Sequence, residues 1–107
     1  MLTVENINTI VTKLGLNGTM SILEVGCGSG ELTHLLGERL NCVITAIDND
    51  PCLIQYAKTA YSSSANFVLC DALALPFGDS SFDVVISHTF LTSMFDAEKA
   101  ISEMQRV

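Results

Sequence analysis

The stretch LEVGCGSGELT, from Leu23 to Thr33, decides the fold, because it sets Gly26, Gly28 and Gly30 between an apolar run and a segment with helical spacing. SILEV, Ser21 to Val25, reads as a short buried strand. Beyond the glycines, Leu32, Leu35, Leu36 and Leu40 fall on one face of a helix. Glycines at a strand-to-helix turn permit positive φ and let a ligand lie against bare backbone. The helix that follows points N–H groups into the same space, which suits an anionic group. Two carboxylates, Glu24 and Glu31, flank the turn, and neither Arg nor Lys occurs within it. A dinucleotide fingerprint, G-x-G-x-x-G, would require glycine where Glu31 stands. A zwitterionic or cationic ligand therefore fits this turn better than a pyrophosphate.

Working outward, Val4, Ile7, Val11 and Leu14 keep helical spacing, with Thr3 a candidate cap and Gly15 a stop. VITAI, Val43 to Ile47, reads as a second strand rich in β-branched residues. In the following DNDP, Asp50 can cap a helix that opens on Pro51, where the missing N–H is harmless. Leu53, Ile54, Ala57 and Tyr61 continue its apolar face. FVLC is a third strand and FDVVIS a fourth, the latter apolar at successive positions as strands covered on both faces are. Asp96 is a candidate cap for a last helix carrying Ala97, Ala100, Ile101 and Met104 on one side, with Arg106 well placed near its C-terminal end. Such alternation of strand and helix predicts parallel strands with crossover helices, an α/β sandwich.

Composition narrows the function. Twelve Asp and Glu against five Lys and Arg leave a net charge of −7. Nucleic-acid partners are disfavoured, since holding a phosphate backbone relies on clustered cations. Only 16% of residues are charged, against about 25% in ordinary soluble domains, and 49% are apolar. Mean hydropathy is +0.42, so some apolar surface is expected to be left over. No apolar run approaches the roughly 20 residues that span a bilayer, so no membrane association is expected. MLTVENINTI lacks a signal peptide's basic start and cleavage pattern. Cys27, Cys42, Cys52 and Cys70 form no C-x-x-C pair or metal-ligand spacing; they read as reduced thiols of a cytoplasmic protein.

In open α/β sheets, ligands settle at the carboxyl ends of the strands, near the point where strand order reverses. Acids recur at those ends. Asp48 closes the second strand about 20 residues beyond the turn, where a carboxylate can accept both hydroxyls of a ribose. Asp71 closes the third, where it can accept from an adenine amino group while the Ala72 N–H meets the ring. Each alone has a plain alternative as a turn or capping residue. Three acids at consecutive strand ends argue jointly for a nucleoside.

Taken together, ILEVGCGSGELT, AIDNDP and CDALALPFGDSSFDVVIS resemble the successive motifs of class I S-adenosylmethionine-dependent methyltransferases, of the small-molecule type that includes quinone-biosynthesis enzymes. EKAISEMQRV is similar to the helix that leads, in that family, into a Lys-Pro-Gly-Gly turn. The resemblance implies a Rossmann-like, doubly wound parallel sheet of order 3-2-1-4. It would form a three-layer α/β/α sandwich lacking the C-terminal strands that extend the family's order to 3-2-1-4-5-7-6. It also implies a single cofactor-binding domain over residues 1–107, the N-terminal part of a methyltransferase, with 1–15 as a leading helix. Gly26, Cys27, Gly28 and Gly30 would line the methionine part of S-adenosyl-L-methionine, with Glu24 toward its ammonium group. Asp48 would hold the ribose hydroxyls and Asn49 lie beside the adenine. Asp71 and Ala72 would read the adenine edge, and Ser87 would offer backbone to the methionine moiety. The carboxylates flanking the turn then help, because the ligand brings a sulfonium and an ammonium.

Several side chains have plainer readings. His88 could face the substrate as a base, but a satisfied histidine at a strand end is the simpler account. Phe90, Leu91, Met94 and Phe95 could floor a substrate pocket, though core packing explains them. Cys27 has nothing basic beside it and reads as a small residue that fits. His34 is expected on the helix surface, and Phe82 and Asp83 in packing and turn formation. No catalytic base is assigned. A chain of this kind is expected to be a fragment of a larger enzyme, or a shortened form whose fourth strand, apolar and at the sheet edge, pairs with a second copy. The expected partner is a small-molecule methyl acceptor. The alternatives are a non-catalytic cofactor-binding or dimerising module and, less favoured, an NAD-dependent oxidoreductase.

Overall fold

A computed structural model describes residues 4–63, 65–87 and 97–107, with side chains from Ile7 onward. Its elements run α1 (Val4–Leu14), β1 (Ile22–Val25), α2 (Glu31–Leu40), β2 (Ile44–Asp48), α3 (Pro51–Ala60), β3 (Ala65–Leu69), β4 (Val84–Ser87) and α4 (Ala97–Arg106). The four strands form one parallel sheet of order β3-β2-β1-β4, as expected. Strand order reverses at β1, which pairs with β2 on one side and β4 on the other.

Register divides the sheet into two faces. Ile22, Ile44 and Val84 share a face with Glu24, Ala46, Phe67 and Ile86. That face is covered by Ile7 and Val11 of α1 and Leu32 and Leu36 of α2. Ile54 and Ala57 of α3 cover its outer part over Ala46, Ala65 and Phe67. On the opposite face, Leu23, Val25 and Ile47 meet Ala100 and Met104 of α4 together with Ala72, Leu75 and Val107. The result is three layers, with α1, α2 and α3 on one side of the sheet and α4 on the other.

Local chemistry explains where the elements differ from expectation. Leu14, expected in the core, is exposed, and Leu16 takes the buried place. Gly15 adopts φ 63° and turns the chain back, so that the Leu16 N–H donates to the Val11 carbonyl at 3.0 Å. Two turns on, a side chain at Gly18 would collide with the Leu40 carbonyl, so glycine lets this loop cross the end of α2. Asp50 caps α3 as expected, accepting from the N–H groups of Cys52 and Leu53.

β4 begins after Asp83 rather than at Phe82, because Asp83 is occupied in joining two strands. Its Oδ2 accepts from the Ser21 N–H at 2.8 Å, and its own N–H donates to the Ser21 carbonyl at 2.9 Å. This reciprocal pair fixes β4 against β1. Phe82 packs edge-on against Phe77, with ring centroids 5.1 Å apart.

The segment between β3 and β4 is irregular, and α4 holds it. The Arg106 guanidinium donates to the carbonyls of Leu75 and Phe77 and to the carboxylates of Asp79 and Glu103. Glu103 in turn accepts from the Leu75 N–H at 2.9 Å. The Ser80 and Phe82 N–H groups donate to the carbonyls of Arg106 and Val107. The loop that starts at Asp71 is thus tied down at its far end by the last helix. Among the described residues, no helix is long and apolar enough to cross a membrane.

Candidate functional site

The carboxyl ends of the strands converge on the turn after β1. Gly26, Gly28 and Gly30 all have positive φ, at 79°, 58° and 89°, a region that favours glycine. The Gly26 and Cys27 N–H groups both donate to the Ile47 carbonyl at 2.9 Å, and the Gly30 N–H closes the turn on the Cys27 carbonyl. Asp48 completes it from β2. Its Oδ2 accepts from the Gly28 N–H at 2.9 Å, and its Oδ1 accepts from the Asp50 N–H at 3.0 Å. The carboxylate proposed for the ribose is therefore already oriented by the glycine turn, with lone pairs to spare on each oxygen.

The glycines have separate reasons. A Cβ at Gly28 would meet nothing within 4 Å, so this position borders open space. A Cβ at Gly30 would press on Ala57 and the Phe67 ring at 3.0 Å. Gly30 is buried and lets the start of α2 approach α3 and β3 closely; its missing side chain serves packing.

Glu24 is sealed beneath α2 with 2% exposure. The Thr33 hydroxyl, also fully buried, donates to Glu24 Oε1. Burial pushes this carboxyl up to about 7, the nearby Asp48 charge adds to the rise, and the Thr33 hydrogen bond opposes it. The same environment pushes the buried Cys27 thiol up to about 12, through desolvation and then the charges of Glu24 and Asp48. Cys27 is no nucleophile at neutral pH, in agreement with the sequence reading. All four cysteines are free thiols.

At the next strand end, Asp71 is exposed and accepts from the Leu73 N–H at 2.9 Å through Oδ1, leaving Oδ2 without a donor among the described residues. Ala72 behind it is buried in the core, and Asn49 is exposed beside Asp48. Ser87, in register with Val25, lies at the end of β4 beside the turn. Its Oγ is buried and has no hydrogen-bond partner among the described residues. Asp48, Asn49, Asp71, Ala72, Ser87 and the glycine turn are thus all at the carboxyl ends of the four strands. His88, Phe90, Leu91, Met94, Phe95 and the caps Thr3 and Asp96 lie outside the described residues.

His34 is not a bare surface residue: its ring stacks on Tyr61 with centroids 4.5 Å apart, and Nε2 lies 3.4 Å from Glu38. Sequence reasoning missed Thr33. The one available signal was a polar residue on the apolar face of α2, next to Leu32 and Leu36.

Residues 23–107 match the family described as a methyltransferase domain. The chain belongs to that family. Its relatives include methyltransferases. It is 33% identical over 104 residues to the ubiquinone/menaquinone biosynthesis C-methyltransferase UbiE of Hahella chejuensis, an alignment that covers 91% of this chain and 42% of the relative. The 18S rRNA (guanine-N(7))-methyltransferase bud23 of Schizosaccharomyces pombe is 32% identical over 94 residues, covering 87% of this chain and 35% of that protein. Among solved structures, a SAM-dependent methyltransferase from Methanosarcina mazei superposes with a TM-score of 0.82 at 33% identity, covering 91% of this chain and 51% of the other. The chain spans about two fifths or less of the length of these curated relatives.

Two expected outcomes follow for this methyltransferase domain. Gly28→Ala should fold with a modest loss and obstruct ligand entry, whereas Gly30→Ala should lose about 2–4 kcal/mol of stability through strain and overpacking. Urea denaturation alongside ligand titration separates the two. Glu24 is protonated in folded and unfolded chains below about pH 4.5. As pH rises the unfolded chain loses that proton first, so the contribution of Glu24 to stability falls until about pH 7. The total loss is at most about 3 kcal/mol. Glu24→Gln should therefore gain stability relative to the wild type between pH 5 and pH 8, measured as the difference in urea midpoints.

Proposed function

We propose that this chain is the S-adenosylmethionine-binding part of a methyltransferase, a single domain over residues 1–107 with 1–15 as its leading helix, acting on a small-molecule acceptor in the cytoplasm. The observation that carries this reading is the charge and shape of the strand ends. The open glycine position at Gly28 is bonded to Asp48, Glu24 is buried near the same turn, Asp71 stands after the next strand, and no Lys or Arg lies in the turn. That set complements a nucleoside with a sulfonium and an ammonium group. It repels a pyrophosphate, and position 31 carries Glu rather than the glycine a dinucleotide turn uses.

The residues present fit the cofactor. When bound, S-adenosylmethionine supplies an electrophilic methyl group on a positively charged sulfur. The remaining lone pairs of Asp48 accept the ribose hydroxyls, and Asn49 flanks the adenine. Asp71 accepts from the adenine amino group through its open oxygen, while the Ala72 N–H donates to the ring. Gly26, Cys27 and Gly28 line the methionine end, Gly30 shapes the entry of α2, and Glu24 offsets positive charge from below. Ser87, with its orphaned hydroxyl, borders the same end of the crevice. Transfer would then rest on positioning an acceptor toward the methyl group.

β4 pairs only with β1 among the described residues, and its side chains are half-buried. We infer that its other edge, unpaired among the described residues, takes a strand from a second copy. Pairing through it predicts a dimer by sedimentation and slow amide exchange in β4; a monomer with fast exchange there removes the pairing.

Calorimetric titration tests the cofactor reading. S-adenosylmethionine and S-adenosylhomocysteine should bind and NAD should not. Asp48→Ala should weaken binding by about 1–3 kcal/mol, the loss of charge-assisted hydrogen bonds to two hydroxyls. Unchanged affinity takes Asp48 out of the site, binding of NAD alone restores the oxidoreductase reading, and binding without turnover on any acceptor leaves a non-catalytic module.

A further inference from the structure

Buried acids are ordinarily matched by cations or several donors. Among the described residues Glu24 has a single side-chain donor, the Thr33 hydroxyl. Its neighbours in register are Ala46 on β2 and Ile86 on β4, neither of which carries charge. α1 contributes Ile7 and Val11 to this layer. From the end of β2, Asp48 adds a second negative charge, and the Cys27 thiol in the turn is neutral. Among the described residues, then, Glu24 is faced by one hydroxyl, one carboxylate and one thiol. An anion at this place lacks a countercharge, and the turn that opens just after it is where a cationic ligand would supply one.

We propose that Thr33 is a positioning residue whose hydroxyl prepares Glu24 to give up its proton when a cation enters the glycine turn, so that ligand binding and proton release are a single event. The inference rests on the reading of the turn as a site for S-adenosylmethionine. The step balances without covalent change in the ligand. The Glu24 carboxylic acid becomes a carboxylate, its proton passes to solvent, and the ligand's charge takes the proton's place. In the ionised state Thr33 donates to Glu24; in the protonated state the hydroxyl oxygen can accept instead, a reversal open to Ser or Thr but not to Val. A carboxyl at about 7 places this exchange close to neutral pH.

The experiment is calorimetry of the whole chain with S-adenosylmethionine between pH 5.5 and 7.5, in buffers of differing ionisation enthalpy, with the titration of the ligand's own α-amino group, which begins near the top of this range, measured separately and subtracted. Wild type should release close to one proton at pH 5.5 and progressively less toward pH 7.5. Its affinity should rise by up to about tenfold per pH unit and then level off near neutrality. In Thr33→Val the rise should continue through pH 7.5, with the largest deficit at low pH, and Thr33→Ser should restore the wild-type profile. Glu24→Gln should bind with no proton release and a flat profile. Methylthioadenosine, which has the nucleoside without the amino-acid end or the sulfonium, should bind without releasing a proton. Release with S-adenosylhomocysteine assigns the effect to the ammonium, and its absence there assigns it to the sulfonium. Wild-type binding with a flat profile and no proton release overturns the inference while leaving the cofactor reading intact. Equal loss of affinity at every pH in Thr33→Val reduces Thr33 to a structural role. Failure of the wild type to bind any of the three ligands overturns the cofactor reading itself. Should Thr33→Val not fold, Thr33→Ala takes its place with the same expected profile, while the wild-type proton count and Glu24→Gln still decide whether binding releases the proton.

Discussion

One carbonyl oxygen, that of Ile47, accepts the N–H groups of both Gly26 and Cys27. The rest of the site is built from that point. It forces the chain leaving β1 to fold back over β2, which only glycine does comfortably at the φ values seen here. Once bent, the Gly28 N–H reaches Asp48, so the turn and the acid at the end of β2 hold each other. The glycine turn and the end of β2 are in this sense one structural unit. Loosening either would misplace the other.

The acids at the strand ends differ in their surroundings. Asp71 is exposed and Asp48 half-buried, while Glu24 is enclosed with one hydroxyl for company. The enclosed group is the one sensitive to what arrives, because buried charges interact more strongly than screened ones. A fold of this type hosts many chemistries, so its function has to be argued from the acids and bare backbone of the site.

Most of the fold was legible in the sequence because its signals were local. The glycine spacing, the β-branched VITAI and the Asp50–Pro51 start of α3 each depend on neighbours in the chain, and each appears in the structure near its expected place. Strand order came from resemblance and agrees with the sheet. What could not be read were features set by contacts between distant segments. Gly30 looks in sequence like its two companions, and only the Phe67 ring and Ala57 separate its purpose from that of Gly28. Asp83 looked like a turn residue, yet Ser21, far away in sequence, makes it a strand clasp. Leu16 displaced Leu14 from the core because Gly15 reversed the chain, a geometric effect that helical spacing does not record. Thr33 was lost among leucines for a similar reason: a helical pattern reports that a face is buried, and says nothing of the carboxylate it is buried against.

The clasp between α4 and the loop after β3 has a consequence for the order in which the molecule is made. The glycine turn and Asp48 need only the first half of the chain, whereas the loop beginning at Asp71 is secured by Arg106, Glu103 and Val107. On a translating ribosome the glycine turn and the end of β2 can therefore take shape while the loop from Asp71 still waits for α4 to emerge. The nascent polypeptide would pass through a stage with half a crevice, exposing the Leu75 and Phe77 region to chaperones until α4 docks.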